Sequence, residues 1–300
     1  MLARLPNVRA ITVIHEREDM ANHTALLTTI NQFSRFESIT LQEKNYNPSF
    51  NCLPSPRVGK PLTFFNQFLH KVVELHGHRL KSLHLFTLLA LSEDLYIKIR
   101  DFTPNIRQIT LTGNIGVELR GRFSEPVLWA SGKTGSLESL TLHNCAGVHA
   151  GNFARNVLCG AYGIHLKSVH LIACGYSQTD IPLVPTASTP TQATIDSLYL
   201  DHMSGWELEA LSLIPVQNLS LTRLLPDDLL QLPALLAKGF AGMREMRLIP
   251  RMVSPAAWET VSKAAGGVYK EVQERCLHRG VQLSFDAVAW SNACNGHIHV

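Results

Sequence analysis

The sequence is poor in charge. Only 17% of its 300 residues are Asp, Glu, Lys or Arg, and 27 basic residues nearly balance 24 acidic ones. A net charge of +3 is too even to argue for nucleic acid or a membrane surface as a partner. Long apolar runs are also missing. The most apolar stretch, residues 83–91, is broken by His84 and Thr87, and a membrane-crossing helix needs about 20 apolar residues. Residues 1–17 hold no apolar run that could form a signal-peptide core. The six cysteines make no CxxC pair and no compact disulfide framework. These absences lead us to expect a reduced, intracellular protein of the cytoplasm or nucleus. The sequons at Asn22 and Asn218 then have no route to glycosylation.

What the chain has in quantity is apolar side chains, 45% of the total, enough for a large core and too many for global disorder. They recur in one nine-residue frame: apolar, two variable, apolar, polar, apolar, three more. The copies are VRAITVIHE from Val8, FESITLQEK from Phe36, LKSLHLFTL from Leu80, IRQITLTGN from Ile106 and LESLTLHNC from Leu137. LKSVHLIAC from Leu166, IDSLYLDHM from Ile195, VQNLSLTRL from Val216, MREMRLIPR from Met243 and a weaker GVQLSFDAV from Gly280 follow. Positions 4 and 6 are apolar in all ten copies, and position 5 between them is never aliphatic. Such alternation predicts a half-buried strand, with positions 4 and 6 inward and 3, 5 and 7 outward.

The steps between frames are 28, 44, 26, 31, 29, 29, 21, 27 and 37 residues, and most leave room for one helix and two turns. Helical stripes fill those gaps: Leu26, Leu27, Ile30 and Phe33; Phe64 to Val73; Leu95, Ile99 and Phe102; Phe153, Val157 and Leu158; Leu229, Leu232, Leu235 and Leu236. A last helix opens at Ser254-Pro255, an N-cap and a first-turn proline, and runs to about His278 with Trp258, Val261, Ala265, Val268 and Val272 inward.

Strand, turn and helix repeated ten times make a solenoid, because no single unit can bury its own apolar face. The expected fold is α/β: a curved solenoid with a parallel concave sheet and convex helices. A doubly wound sheet would show all-apolar strands. A propeller needs four strands per unit, which the helices exclude. No break in composition suggests a two-domain split. The solenoid is expected over residues 1–290, with Pro-, Ser-, Thr- and Asn-rich surface loops at 42–61 and 178–194 and a flexible tail at 291–300.

LESLTLHNC and LKSVHLIAC match the pattern L-x-x-L-x-L-x-x-N/C, and the chain therefore resembles leucine-rich-repeat proteins of the ribonuclease-inhibitor-like and cysteine-containing kinds. Its irregular period and long inserts are similar to the repeat regions of fungal F-box/leucine-rich-repeat proteins. That resemblance implies partner selection for a cullin-RING ubiquitin ligase. The first repeat is expected to begin by Leu5, which leaves no room for the family's F-box ahead of it. The adaptor-binding half is then expected to be absent, truncated or on another chain, and a ubiquitin-ligase adaptor is an expected partner only if an F-box exists elsewhere. Leu225-Pro226-Asp227-Asp228-Leu229-Leu230 resembles an F-box opening, yet it falls where a helix start is due. The alternative is a stand-alone repeat protein unrelated to ubiquitin.

Chemical motifs are sparse. Ser131-Gly132-Lys133-Thr134 suggests a phosphate loop, but Val127 stands where the motif needs glycine. The fourteen histidines include the pairs His76/His78 and His297/His299 but no four-ligand zinc spacing. Cys145 and Cys174 share position 9 of adjacent repeats, close enough for a bridge in principle, though a reduced thiol packing as a small hydrophobe is expected. No HExxH, GxSxG or GxGxxG occurs. Catalysis, a cofactor and a metal are therefore not expected. The expected partner is a protein, bound on the concave face by positions 5 and 7: His84, Phe86, Thr110, Thr112, Thr141, His143, His170, Ile172, Tyr199, Asp201 and Arg247.

Overall fold

The structure is a computed structural model that describes residues 7–15, 23–44, 63–86, 93–112, 137–143, 154, 166–172, 174, 194–203, 205–224, 226–250 and 255–285. Most of the two expected loops, the tail, the 131–134 turn, Phe153, Val157, Leu158 and Cys145 lie outside the described residues.

Each of the ten frames carries a strand: β1 (Ala10–His15), β2 (Ser38–Glu43), β3 (Ser82–Phe86), β4 (Gln108–Thr112), β5 (Ser139–His143), β6 (Ser168–Ile172), β7 (Ile195–Asp201), β8 (Val216–Leu224), β9 (Glu245–Pro250) and β10 (Gln282–Phe285). The described helices are α1 (His23–Ile30), α2 (Thr63–His76), α3 (Glu93–Phe102), α4 (Gly205–Leu211), α5 (Pro226–Lys238) and α6 (Pro255–His278). The chain is thus α/β, with parallel strands separated by helices. Parallel neighbours need a crossover of a dozen or more residues, and a helix supplies it in the connections that are described.

The described residues fall into two compact units, one within Met1–His149 and Cys174–Asp180, the other within Ala150–Ala173 and Ile181–Val300. In the first unit β1 to β5 pair in chain order, and position 4 pairs only with position 4: Ile11, Ile39, Leu83, Ile109 and Leu140 stand in one row. In the second, β6 to β10 do the same through Val169, Leu198, Leu219, Met246 and Leu283. A slip of one residue would turn every apolar side chain outward, so burial holds this register.

The burial pattern follows the frame. Ile39, Leu41, Leu83, Leu85, Leu140, Val169, Leu171, Leu198 and Leu200 are fully buried. The outermost strands differ: Ile11 and Val13 of β1 and Leu283 of β10 are only half-buried. The helices complete the core with Ile30 of α1, Phe68, Leu69, Val72 and Val73 of α2, Leu95 and Ile99 of α3, Leu229, Leu232 and Leu236 of α5 and Val272 of α6. Phe102 departs from its expected inward place. It ends α3 and is 44% exposed, while Thr103 beyond it is buried and donates its hydroxyl back to Ile99 O. From Pro226 onward the F-box-like stretch is helix, with Pro226 opening α5 between β8 and β9. Arg279, past the end of α6, donates to the carbonyls of Leu236, Gly239 (3.0 Å) and Phe240 (2.7 Å). It thereby caps the C-terminus of α5 with positive charge, as the helix dipole favours.

Two backbone devices repeat. In most of the described repeats, the carbonyl of position 2 accepts from the next repeat. Arg9 O takes the N–H groups of Glu37 (2.8 Å) and Ser38 (2.9 Å), Glu37 O those of Lys81 (2.7 Å) and Ser82 (3.2 Å), and Lys81 O those of Arg107 (2.8 Å) and Gln108 (3.0 Å). Position 8 turns left-handed in two repeats, with φ of 60° at His202 just past β7 and 53° at Arg223 near the end of β8. That turn drives position 9 inward: Met203 and Leu224 are buried, as is Cys174.

The strand face as candidate functional site

The eleven expected binding residues divide between the units. His84 and Phe86 on β3, Thr110 and Thr112 on β4, and Thr141 and His143 on β5 belong to the first. His170 and Ile172 on β6, Tyr199 and Asp201 on β7, and Arg247 on β9 belong to the second.

In the first unit the register sets position 5 as a row, Thr40, His84, Thr110 and Thr141. Adjacent parallel strands lie about 4.8 Å apart, so neighbouring side chains in that row reach one another. His84 Nδ1 and Thr110 Oγ1 share a hydrogen bond at 2.9 Å. Burial between flanking strands pushes the His84 imidazole below its ordinary range, so it stands neutral at physiological pH. Phe86 pairs Gln42, and Thr112 pairs His143, at position 7.

In the second unit the corresponding row runs His170, Tyr199, Ser220 and Arg247. The His170 and Tyr199 rings lie 5.4 Å apart at 43°, and His170 Nε2 shares a hydrogen bond with Ser168 Oγ at 3.2 Å. Burial lowers the His170 pKa as it does that of His84. Arg247 is exposed. A serine hydroxyl on an imidazole has two members of a nucleophile–base–acid set, but among the described residues no carboxylate orients the other nitrogen of His170. Nor do three His, Cys, Asp or Glu side chains gather to hold a metal among the described residues.

Two of the eleven are not on the surface. Thr112 is 2% exposed and its hydroxyl donates to Leu85 O at 2.8 Å, turned back onto the neighbouring strand. Asp201 is 3% exposed and is committed to Arg223, which donates Nε–H to Oδ1 at 2.6 Å and a terminal N–H to Oδ2. Thr222 Oγ1 stands 2.7 Å from Asp201 Oδ1 and 3.1 Å from Tyr199 OH. The expectation that position 7 always faces outward fails at Thr112 and Asp201, and after Asp201 the chain turns left-handed at His202 and buries Met203. Arg223 was not among the expected residues. Its role depends on a bulge between Thr222 and Leu224 that strand alternation does not encode.

Of the cysteines, Cys174 is reduced and buried, as expected, and its thiol approaches Leu142 O at 3.4 Å. Among the described residues no helix is long and apolar enough to cross a membrane. No protein-family model matches the chain, and no curated protein matches it.

Proposed function

We propose that the chain is a non-catalytic binding scaffold of the leucine-rich-repeat solenoid type, and that its strand face recognises a protein partner. One observation carries the reading. The strands of each unit stack in register, so polar, imidazole and aromatic side chains of consecutive repeats align as rows on one face. In a solenoid that face is the concave one, and outward strand positions build its binding surface. The rows mix His84, Phe86, Tyr199 and Arg247 with small hydroxyl residues, a composition closer to protein interfaces than to a phosphate-backbone track. Thr112 and Asp201 drop out of the proposed surface because they are buried.

The resemblance to F-box/leucine-rich-repeat proteins extends this to partner selection for ubiquitin ligation. The test is affinity capture with cross-linking and mass spectrometry. Cross-links from strand positions 5 and 7 to a captured protein support the scaffold reading, and a cullin complex among the captured proteins supports the ligase extension. Other partners alone make this a stand-alone interaction protein. A captured protein cross-linked only to the helices would refute the choice of face.

A further inference from the structure

A second surface of the first unit, independent of the strand face, carries its own chemistry. The turns that lead into β2, β3 and β4 repeat one short pattern: Arg35-Phe36-Glu37, Arg79-Leu80-Lys81 and Asn105-Ile106-Arg107. Phe36, Leu80 and Ile106 are buried, and this anchors each triplet with its flanking side chains free of the core. The position 2 backbone bonds stack the triplets in register. Two side chains stitch them further: Arg79 donates to Ser34 O at 2.9 Å, and Asn105 Nδ2 donates to His78 O at 2.8 Å. The result is a cavity of about 350 Å³ lined by these flanking residues with Ser34 and His78.

Its charge is unbalanced. Four cations, Arg35, Arg79, Lys81 and Arg107, line it against one carboxylate, Glu37. Lys81 pairs with Glu37 at 3.0 Å, and Arg107 reaches Glu138 at 3.6 Å. Among the described residues neither Arg35 nor Arg79 has an ion-pair partner. Arg79 is held in place, its Nε–H donated to His78 Nε2 at 3.0 Å, which requires that ring nitrogen to be unprotonated. The pKa of the buried neighbour His76 is lowered first by burial and then by the charge of Arg79.

We propose that this cavity binds a phosphate monoester. Two guanidinium groups without carboxylates match a dianion, and their planar forks suit its oxygens. A single carboxylate would leave one of them uncompensated. The volume lies at the small end of the roughly 300–1,000 Å³ range of ligand sites, room for a phosphate and the group bearing it. The monoester comes either from a phosphorylated side chain of a protein or from a free phosphorylated small molecule. Both present the same dianion.

The test titrates the intact chain by calorimetry with inorganic phosphate, O-phosphoserine, a five-residue peptide with central phosphoserine and the same peptide with serine. Saturable one-to-one binding of the phosphorylated probes and none of the serine peptide is expected. A phosphopeptide tighter than O-phosphoserine by about tenfold or more identifies a protein source, and equal affinities a small-molecule source. Arg35→Gln and Arg79→Gln should each weaken binding by about tenfold or more, while Lys270→Gln, which removes a 76% exposed cation of the other unit, should leave it unchanged. Arg35 makes no hydrogen bond or ion pair among the described residues, so its variant carries the test even if Arg79→Gln fails to fold. No saturable binding up to about 10 mM, or equal loss in Arg35→Gln and Lys270→Gln, overturns the proposal.

Discussion

Arg223 and Asp201 meet fork to fork: Nε–H donates to Oδ1 at 2.6 Å while a terminal N–H donates to Oδ2. The pair joins the ends of β7 and β8. It also holds Arg223 at φ 53°, a left-handed backbone that costs a non-glycine residue on the order of 1–2 kcal/mol. The bond to Asp201 raises the guanidinium pKa above its already high range, so Arg223 stays charged at any physiological pH.

Removing one partner leaves the other's charge behind. The Asp201 side chain is 4% exposed and that of Arg223 29%, so Arg223→Ala strands the more deeply buried group. We expect Arg223→Ala to cost roughly 3 kcal/mol, and adding Asp201→Ala to it to recover part of that loss. Urea unfolding measures both. A single variant within about 0.5 kcal/mol of the parent would contradict the assignment.

The inward rows should dominate stability. Leu142 and Leu171 are 2% and 0% exposed, and replacing either with alanine leaves a cavity costing about 2–5 kcal/mol. Ile11 occupies the same kind of position on β1 but is half-buried, so Ile11→Ala should cost less than half as much. Hydrogen exchange should follow the same order, with the Thr12 and Val13 amides opening faster than those of Leu83 and Leu85. Equal protection would contradict it.

Two glycines make opposite predictions. A Cβ on Gly77 would sit 2.4 Å from the carbonyl oxygen of Phe102, so Gly77→Ala must push α3 away from α2 and destabilise. Gly267 lies inside α6 with nothing within 4 Å of its Cβ position. Gly267→Ala should therefore raise stability by about 0.5–1 kcal/mol. Thermal melts that move in the same direction for both would show the packing to be different.

Acid should weaken the fold before the carboxylates titrate. His76, His84 and His170 all have pKa values held below the ordinary imidazole range, chiefly by burial. The unfolded chain takes up these protons near pH 6.5 and the folded chain only below that, so the stability is complete above about pH 6.5 and is lost as pH falls. The melting temperature should drop between about pH 7 and pH 5, and the drop should shrink in His84→Asn and His170→Asn. A flat or rising profile would contradict the burial.

Much of this fold was legible in the sequence. A period of two at positions 4, 5 and 6 can only be satisfied by half-buried strands, and apolar residues at matching positions align those strands without a slip. The last helix was legible from Ser254-Pro255, because capping chemistry is local. The strand ends were not. Whether Asp201 faces a partner or its own chain depends on Arg223, 22 residues away, and on a left-handed turn that a non-glycine residue does not announce. The charged triplets around Phe36, Leu80 and Ile106 were visible as a pattern, but only the folded chain reveals which cations have no carboxylate beside them.

The central claim is that the strand face, and not the helix side, meets a protein partner. The direct measurement is the affinity of a captured partner for the chain bearing His84→Ala, Thr110→Ala, Tyr199→Ala or Arg247→Ala, set against Lys71→Ala and Lys270→Ala on α2 and α6. Those two lysines are 60% and 76% exposed and serve as helix-side controls, one in each unit. The account predicts a loss of about tenfold or more in at least one strand-face variant and less than about twofold in both controls. Unchanged binding by all four strand-face variants, with loss in the lysine variants, would contradict it.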